Sequence, residues 1–272
     1  DVVAGYDPDD PVTARGADRI PADGYVSHLD PAGLDGARIG VARQFFGLHD
    51  EGNAAASDAD SVTAVVESAV HEMVAAGATV VDPVDVVDAA DLARARVLQY
   101  EFARDFDRYL SELGDATPHE SLADVYETGT LAHAVERRFE TAGILDVDAE
   151  SLSENAAYLR RLRLRSHLAA TTLSRFVEDD LDALLYPPST IPPVEFPDHQ
   201  PFGEMNCELA AHTGLPAIVV PAGFTDEGLP VGVELLRRPF AEPRLFELAY
   251  SFEPGDEVVV STERDLAHPT RH

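Results

Sequence analysis

The stretch from Ala217 to Leu236 constrains the fold of this chain more than any other part of the sequence. It holds two short apolar runs, Ala217–Pro221 and Val231–Leu236, which are rich in Val, Ile and Leu. Such runs are typical of strands in a sheet that is covered on both faces. Between them lie Gly223 and Gly228, at which a left-handed or closely approached backbone costs little. The pattern predicts a hairpin-like pair of strands in the core of an α/β domain.

A second unit of regular structure is predicted nearer the start of the chain. Ala37–Arg43 has the apolar character of a short buried strand, and Ala78–Val81 that of another. Ser57–Ala76 lies between them, repeats apolar residues at helical spacing, and is followed by Gly77, a residue that commonly ends a helix. Strand, helix and strand at this spacing predict one βαβ crossover.

The rest of the chain is predicted to be largely helical. Leu181–Pro187 is the exception, because its apolar run predicts a third strand, and a proline-rich loop follows it. Helices are predicted over Asp88–Leu113, Pro118–Ala142, Ala149–Asp180, Gly203–His212 and Ala241–Phe252.

The residues of the strand pair also resemble a known family. The C-terminal signature of the amidase-signature hydrolases is similar to three successive segments of this sequence: TGLPAIVVPAGF, GLPVGVELL and a predicted helix that ends in LAYSFE. Gly5–Pro11 is similar to a G-x-D-x-x-D-P segment that follows the catalytic half of those enzymes. The resemblance implies an α/β fold, namely part of the mixed-sheet amidase-signature fold with helices on both faces, and with the N-terminal catalytic part missing.

The resemblance also gives a division of the chain. Residues 1–31 are expected to be a linker from a missing N-terminal region, residues 32–253 the C-terminal part of an amidase domain, and residues 254–272 a polar tail. The sequence begins at Asp1, and its first methionine is Met73. We therefore expect either a processed chain or an excerpt of a longer protein.

The family's chemistry requires residues that this sequence does not contain. The resemblance implies amide hydrolysis by a serine, activated through a second serine by a lysine base, with backbone N–H groups that stabilise the oxyanion. The sequence has no GGSSGGS-like run and no lysine. Arginine cannot replace the base, because its guanidinium stays protonated. We therefore predict no catalytic residue and no cofactor in this chain, and no hydrolysis by the chain alone.

Three residues near the signature are candidates for the substrate pocket. Ser189 and Thr190 lie in the proline-rich loop, and Asn206 lies in the helix predicted after it. The resemblance places the family's substrate pocket in this region, and a loop after a strand is a suitable position for one. Turn and cap chemistry explains the same small polar residues equally well.

Other chemistries are weakly supported by the sequence. His71-Glu72 and His119-Glu120 begin a zinc-protease motif, but alanine stands where the second histidine is needed, so no metal site is predicted. Cys207 is interpreted as a small buried residue at a helix rather than as a nucleophile. The cluster Arg160, Arg161, Arg163 and Arg165 is interpreted as helix-surface arginines paired with nearby carboxylates rather than as a nucleic-acid patch.

Charge restricts the partners of the chain. The sequence has 50 acidic and 20 basic residues and a formal net charge of −30. This balance disfavours nucleic acids and anionic membranes, because both carry the same sign of charge. A dense carboxylate surface stays hydrated at very high salt. We therefore hypothesise that the protein works in a salt-rich cytoplasm, and the salt dependence of its unfolding tests this hypothesis. The single cysteine agrees with a reducing compartment, and no membrane span is predicted.

The predicted function is therefore that of the C-terminal part of an amidase. It would contribute sheet core and pocket walls, and it would act on a small-molecule amide once the N-terminal part completes it. Two alternatives remain open. The chain is either an interaction subunit of a split amidase or of a tRNA-dependent amidotransferase, or an inactive gene remnant. If the chain is functional, it can be expected to act with a partner chain or as a homo-oligomer.

Overall fold

The computed structural model describes residues 1–50, 52–147, 149–195 and 201–253. The chain forms two compact units. The first consists of residues from Asp1–Val86 and from Leu173 onward, and the second is Val87–Thr172. The predicted polar tail, residues 254–272, lies outside the described residues.

The first unit contains one mixed sheet of five strands. They are β1 (Arg38–Val41), β2 (Thr79–Val81), β3 (Ala183–Tyr186), β4 (Ala217–Phe224) and β5 (Pro230–Leu236). The strand order is β2-β1-β3-β5-β4. Strand β1 runs parallel to β2 and to β3, whereas β5 runs antiparallel to both of its neighbours. The α/β class and the mixed sheet predicted from the sequence are confirmed.

The predicted crossover is present. Helix α1 (Ala56–Ala75) connects the parallel strands β1 and β2. Its buried residues, Val62, Val66, Ala69 and Met73, recur every three or four positions, so one stripe of the helix faces the core. Gly77 follows the helix with a φ of 101°, which favours glycine because a Cβ would be strained there.

Both faces of the sheet are covered, since adjacent residues of β3 such as Leu184 and Leu185 are both fully buried. One of the two faces packs against α1 and α8. Alternate residues of the strands, such as Ile39, Leu185 and Val233, belong to the same buried cluster as the apolar stripe of α1. The last helix, α8 (Glu242–Phe252), adds Leu245, Leu248, Ala249 and Phe252 to that cluster. The alternation follows from the strand geometry, since successive side chains point to opposite faces.

The predicted hairpin is confirmed and is longer than expected. Strands β4 and β5 pair antiparallel from Ala217 opposite Leu236 to Phe224 opposite Pro230, with a bulge between Pro221 and Gly223. The bulge accommodates one extra residue and lets β4 continue past its proline.

The opening segment, predicted to be a linker, contains two short 3-10 turns, Pro11–Gly16 and Tyr25–His28. The second turn contacts α8, where the rings of Tyr25 and Phe246 lie 5.4 Å apart. Beyond it, the Ser251 hydroxyl donates a hydrogen bond of 2.9 Å to the carbonyl oxygen of Pro31. This part of the chain therefore packs against α8 and belongs to the first unit.

One carboxylate connects three elements at the edge of the sheet where β1 and β3 begin. Asp182 accepts a hydrogen bond of 3.0 Å from the backbone N–H of Arg38. Its Oδ1 lies 3.2 Å from Arg237 Nη1 and 3.3 Å from Arg244 Nε. Burial raises the pKa of Asp182, but these donors lower it more, so its pKa lies below the ordinary value.

The second unit is helical, and three of its predicted helices are interrupted. Asp88–Leu113 forms two helices, α2 (Ala89–Arg94) and α3 (Leu98–Leu113). Pro118–Ala142 forms α4 (Leu122–Glu127) and α5 (His133–Ala142), and Ala149–Asp180 begins with a 3-10 turn before α6 (Ala156–Glu178).

Local signals explain where α4 begins and where it ends. Ser121 and Asp124 form a capping box that starts α4, which satisfies backbone N–H groups that a continuing helix would have bonded. Gly129 has a φ of 62°, a conformation that ends a helix. The single helix predicted over Pro118–Ala142 was therefore wrong.

No helix among the described residues is long and apolar enough to cross a membrane.

Candidate active site

The candidate site lies where the parallel strands β1 and β3 end. Parallel neighbours end at the same edge of a sheet, and crevices at that edge commonly bind ligands. After β1 the chain enters a 3-10 turn, Arg43–Phe45, and then a loop that contains His49. After β3 it enters the proline-rich loop with Ser189 and Thr190, and Ser189 pairs with Met205 in an isolated β-bridge.

Asn206 joins the two strand ends. It is 4% exposed, and its amide nitrogen donates hydrogen bonds to the carbonyl oxygens of Phe45, at 2.8 Å, and Pro187, at 2.7 Å. Its side-chain oxygen lies 2.7 Å from His49 Nε2. All the hydrogen-bonding groups of this side chain are thus used within the protein, and Asn206 fixes the edge of the site.

Glu204 is the centre of a second set of hydrogen bonds. Its carboxylate accepts the backbone N–H groups of His49 and Asp50, both at 3.0 Å, and the side-chain amide of Asn53 at 2.9 Å. The hydroxyl of Thr190 donates to it as well. Glu204 is fully buried, and a buried carboxylate requires donors of this number.

The hydrogen bonds keep Glu204 ionised. Burial raises the pKa of this carboxyl, but the donors from Thr190, His49, Asn53 and Asp50 lower it more, so its pKa lies below the ordinary value. A charged group that accepts several N–H and O–H donors holds its partners in fixed positions. Glu204 is therefore suited to ordering the loops and not to taking up a proton near neutral pH.

A small apolar cavity lies beside these loops. It has a volume of about 270 Å³ and is bordered by Val62 of α1, Met205 and the hairpin residues Pro230–Gly232. The rest of its lining comes from the proline-rich loop, and Ser189 contributes the one hydroxyl group of that lining. The Ser189 hydroxyl donates a hydrogen bond of 2.8 Å to the carbonyl oxygen of Ile191. A hydroxyl held by a carbonyl oxygen can bind a ligand, but it has no base to activate it.

Beneath the site, the last residue of β3 belongs to a buried polar pair. Tyr186 is fully buried, and its hydroxyl donates a hydrogen bond of 2.7 Å to Oε1 of Glu234. Glu234 lies opposite Tyr186 on the neighbouring strand β5. Burial raises the pKa of Glu234 and, together with the neighbouring carboxylate, raises the pKa of Tyr186 well above its ordinary value. The ring of Tyr186 lies 4.9 Å from that of Phe45, so the pair also supports the turn after β1.

The three residues predicted from the sequence are found in different roles. The structure places Thr190 and Asn206 in the buried network, where His49 and Glu204 lie between them. Ser189 lies apart from that network, on the cavity. Their part in binding a substrate remains a prediction.

The sequence interpretation missed His49, Asn53 and Glu204. A usable signal was present, because polar residues that follow two parallel strands meet at one edge. Cys207 was expected to be buried, but it is exposed at the N-terminal end of α7 (Glu208–Thr213). That helix buries Leu209, so the residue two positions earlier faces away from the core.

No group of three or more His, Cys, Asp or Glu residues within the described ranges is arranged to hold a metal ion. His71 and Glu72, the first half of the zinc-like motif, are exposed on α1. The candidate site therefore consists of hydrogen-bonded loops beside an apolar cavity.

Comparisons with known proteins point to one family. The model of the family described as Amidase matches residues 1–246. A probable amidase of Arabidopsis thaliana is 28% identical over 255 residues, which cover 93% of this chain and 44% of that protein. A glutamyl-tRNA(Gln) amidotransferase subunit of Myxococcus xanthus is 32% identical over 93% of this chain and 51% of its own length.

A solved structure agrees with this assignment. The native peptide amidase of Stenotrophomonas maltophilia matches with a TM-score of 0.63 and 28% identity, over 91% of this chain and 48% of that chain. The chain thus spans about half the length of the relatives that it matches. Since the family model covers most of the sequence and the mixed sheet agrees with a solved relative, this chain belongs to the amidase family.

Proposed function

We propose that the chain acts as the C-terminal part of an amidase that hydrolyses carboxamide C–N bonds. It supplies sheet core and substrate-pocket walls, and the catalytic serines and lysine come from a region that is not in this sequence. The amide substrate is a small molecule, and it binds beside Ser189, with Thr190 and Asn206 holding the wall in place.

The observation that carries this proposal is the open edge of strand β4. It is an edge strand of the described sheet, eight residues long. Its exposed residues are apolar: Val219 is 53% and Phe224 43% exposed. Pro221 and the bulge beside it interrupt the edge at one point, but proteins normally also cover a long apolar edge, because its free N–H and C=O groups pair readily with another strand. A further strand and its covering layer fit this edge.

The edge is also close to the candidate cavity. Gly232 of β5 borders the cavity, and a Cβ placed on it would lie 2.9 Å from the side chain of Val219. A segment that pairs with β4 and covers Val219 would therefore lie next to the cavity that contains Ser189. This is a suitable position for the missing catalytic groups, since catalysis requires the nucleophile within a few ångströms of the bound amide.

We expect the purified chain to show no turnover of simple carboxamides such as benzamide, because no lysine is available to activate a serine. Ammonia release measures this, with an amidase that hydrolyses the same carboxamide as the positive control. Turnover that a serine-directed reagent abolishes would contradict the prediction.

The mass of the native protein in its source cells separates the two forms of the proposal. A mass well above 29.3 kDa indicates that this sequence is part of a longer amidase. A mass close to that value indicates a chain that requires a separate partner, as in a split amidase, and co-purification then identifies it.

The second candidate function is that of an interaction subunit in a tRNA-dependent amidotransferase. The relatives named as glutamyl-tRNA(Gln) amidotransferase subunits favour it. The same open edge would then bind another protein chain rather than an N-terminal region. If neither a longer parent nor a partner exists, the chain is an inactive remnant.

We also propose that the protein works in a salt-rich cytoplasm. With a net charge of −30, the folded chain repels itself at low ionic strength, and salt screens this repulsion. The midpoint of thermal unfolding is therefore expected to rise between about 0.1 M and 2 M KCl. A midpoint that stays constant or falls over this range would argue against a salt-adapted protein.

A further inference from the structure

The most unusual surface of the second unit is a basic groove on helix α6. From Asn155 to Val177 the sequence has no acidic residue, although the chain has 50 acidic residues in 272. The same stretch contains Arg160, Arg161 and Arg163. Its charge is therefore opposite to that of the rest of the protein.

The arginines border a cavity of about 580 Å³. Cavities of several hundred Å³ are the size that holds small-molecule ligands. Two of its lining residues, Ala157 and Leu164, are apolar and are called its floor here, and its polar lining residues, from α6 and α2, are called its rim. The rim residues are Asp91, Arg94, Arg160, Arg161, Arg163 and His167.

Two of the rim arginines are held by the protein. Arg161 donates hydrogen bonds of 2.9 Å each to the carbonyl oxygens of Arg94 and Arg96, and its guanidinium lies 5.5 Å from the ring centre of Tyr100. Arg94 pairs with Asp91. These contacts fix the position of α2 relative to α6 and neutralise the carboxylate of Asp91.

The other two are available to a ligand. Arg160 and Arg163 are exposed, and neither has a hydrogen bond or an ion pair with any residue in the part of the chain that the structure describes. They lie three positions apart on α6, so they project from one side of the helix. The expected pairing of this cluster with nearby carboxylates is therefore not observed for Arg160 and Arg163.

We propose that this groove, defined by Arg160, Arg163 and the cavity beside them, binds a small phosphate-bearing polyanion of the diphosphate type. Each guanidinium presents a planar set of donors that fits two phosphate oxygens. Two free arginines on one side of a helix suit a ligand with two linked anionic groups. The apolar floor accommodates an attached uncharged group.

The ligand is expected to be small. A nucleic acid would extend beyond the groove over a protein whose net charge is −30, and repulsion would oppose its binding. A compact anion that fits inside the cavity is surrounded by the rim arginines and is far less exposed to that repulsion.

Titration calorimetry with inorganic pyrophosphate tests the proposal, on the whole chain, at low ionic strength and in a buffer free of phosphate and sulfate. We expect one pyrophosphate per chain, and about a tenfold or greater loss of affinity in the double variant Arg160→Gln/Arg163→Gln, because each lost pair removes charge-assisted hydrogen bonds. Added KCl should weaken the binding of the wild-type chain.

The matched control is Arg137→Gln, since Arg137 is also exposed and lies on helix α5 of the same unit. This variant should bind pyrophosphate like the wild type, and both variants should keep the wild-type circular dichroism spectrum. Equal affinity of the double variant and the control would overturn the proposal, as would absence of binding.

Two further ligands test its chemistry. Citrate that binds more tightly than pyrophosphate through the same arginines would overturn the assignment to phosphate. A short single-stranded RNA that binds more tightly than pyrophosphate would overturn the assignment to a small ligand. Weaker binding of both supports it.

Discussion

Replacing Glu204 by alanine is expected to lower the free energy of unfolding by about 3–5 kcal/mol, because four donors lose their shared, buried acceptor together. The donors are the backbone N–H groups of His49 and Asp50 and the side chains of Asn53 and Thr190. Water can satisfy the N–H groups of the exposed residues His49 and Asp50, but Thr190 is buried, so the loss exceeds that of a single hydrogen bond. Urea denaturation measures the effect.

The pH dependence of Glu204→Gln gives an independent check on the same carboxylate. The pKa of Glu204 is lower in the folded chain than its ordinary value. Its contribution to stability is therefore fully present above the ordinary pKa and is lost as the pH falls through the folded pKa. The difference in unfolding free energy between wild type and Glu204→Gln should accordingly shrink as the solution is acidified.

The control for both variants is Glu72→Gln, which changes an exposed carboxylate of α1 in the same unit. Its effect is expected to stay within about 0.5 kcal/mol, as is usual for surface positions. If Glu204→Ala were no more destabilising than Glu72→Gln, the network would not be holding the loops of the candidate site.

The second large effect is expected for Gly33→Ala. A Cβ at this position would lie 2.3 Å from the carbonyl oxygen of Glu247 and 2.7 Å from its carbon. These are backbone atoms of α8, so they cannot move aside as a flexible side chain could. The carbonyl oxygen of Gly33 itself accepts a hydrogen bond of 2.9 Å from Arg244 Nη1, so the shift also strains a neighbouring contact.

We expect Gly33→Ala to lower the free energy of unfolding by about 3 kcal/mol, at the upper end of the range for overpacking. Gly16→Ala is the matched control, since nothing lies within 4 Å of a Cβ built there. A thermal midpoint for Gly33→Ala equal to that of Gly16→Ala would mean that the segment from Pro31 does not pack on α8 as described.

The sequence predicted the sheet well because its strands are short, apolar and separated by strong turn signals. The hairpin, the βα unit around α1 and the strand before the proline-rich loop all occur where alternation or continuous apolar runs predicted them. The second unit was harder. Apolar spacing alone started a helix before the capping box at Ser121, where α4 begins, and continued it through Gly129, where a positive φ interrupts it.

The candidate site was predictable only in part. Ser189, Thr190 and Asn206 lie near a recognisable signature, so a resemblance could point to them. Glu204 escaped notice because nothing in its own neighbourhood shows what it binds. Its partner His49 is 155 positions away along the sequence, and only the parallel pairing of β1 with β3 brings the two together.

Asp182, where strands β1 and β3 begin, has a consequence for how the first unit unfolds. This one carboxylate contacts the first residue of β1, the arginine just after β5 and an arginine of α8. These segments are far apart in the sequence. If any one of them separates from the sheet, it breaks its contact with the carboxylate that all three share. Loss of one contact leaves the others short of a partner, so this edge should open in a single step rather than fray strand by strand.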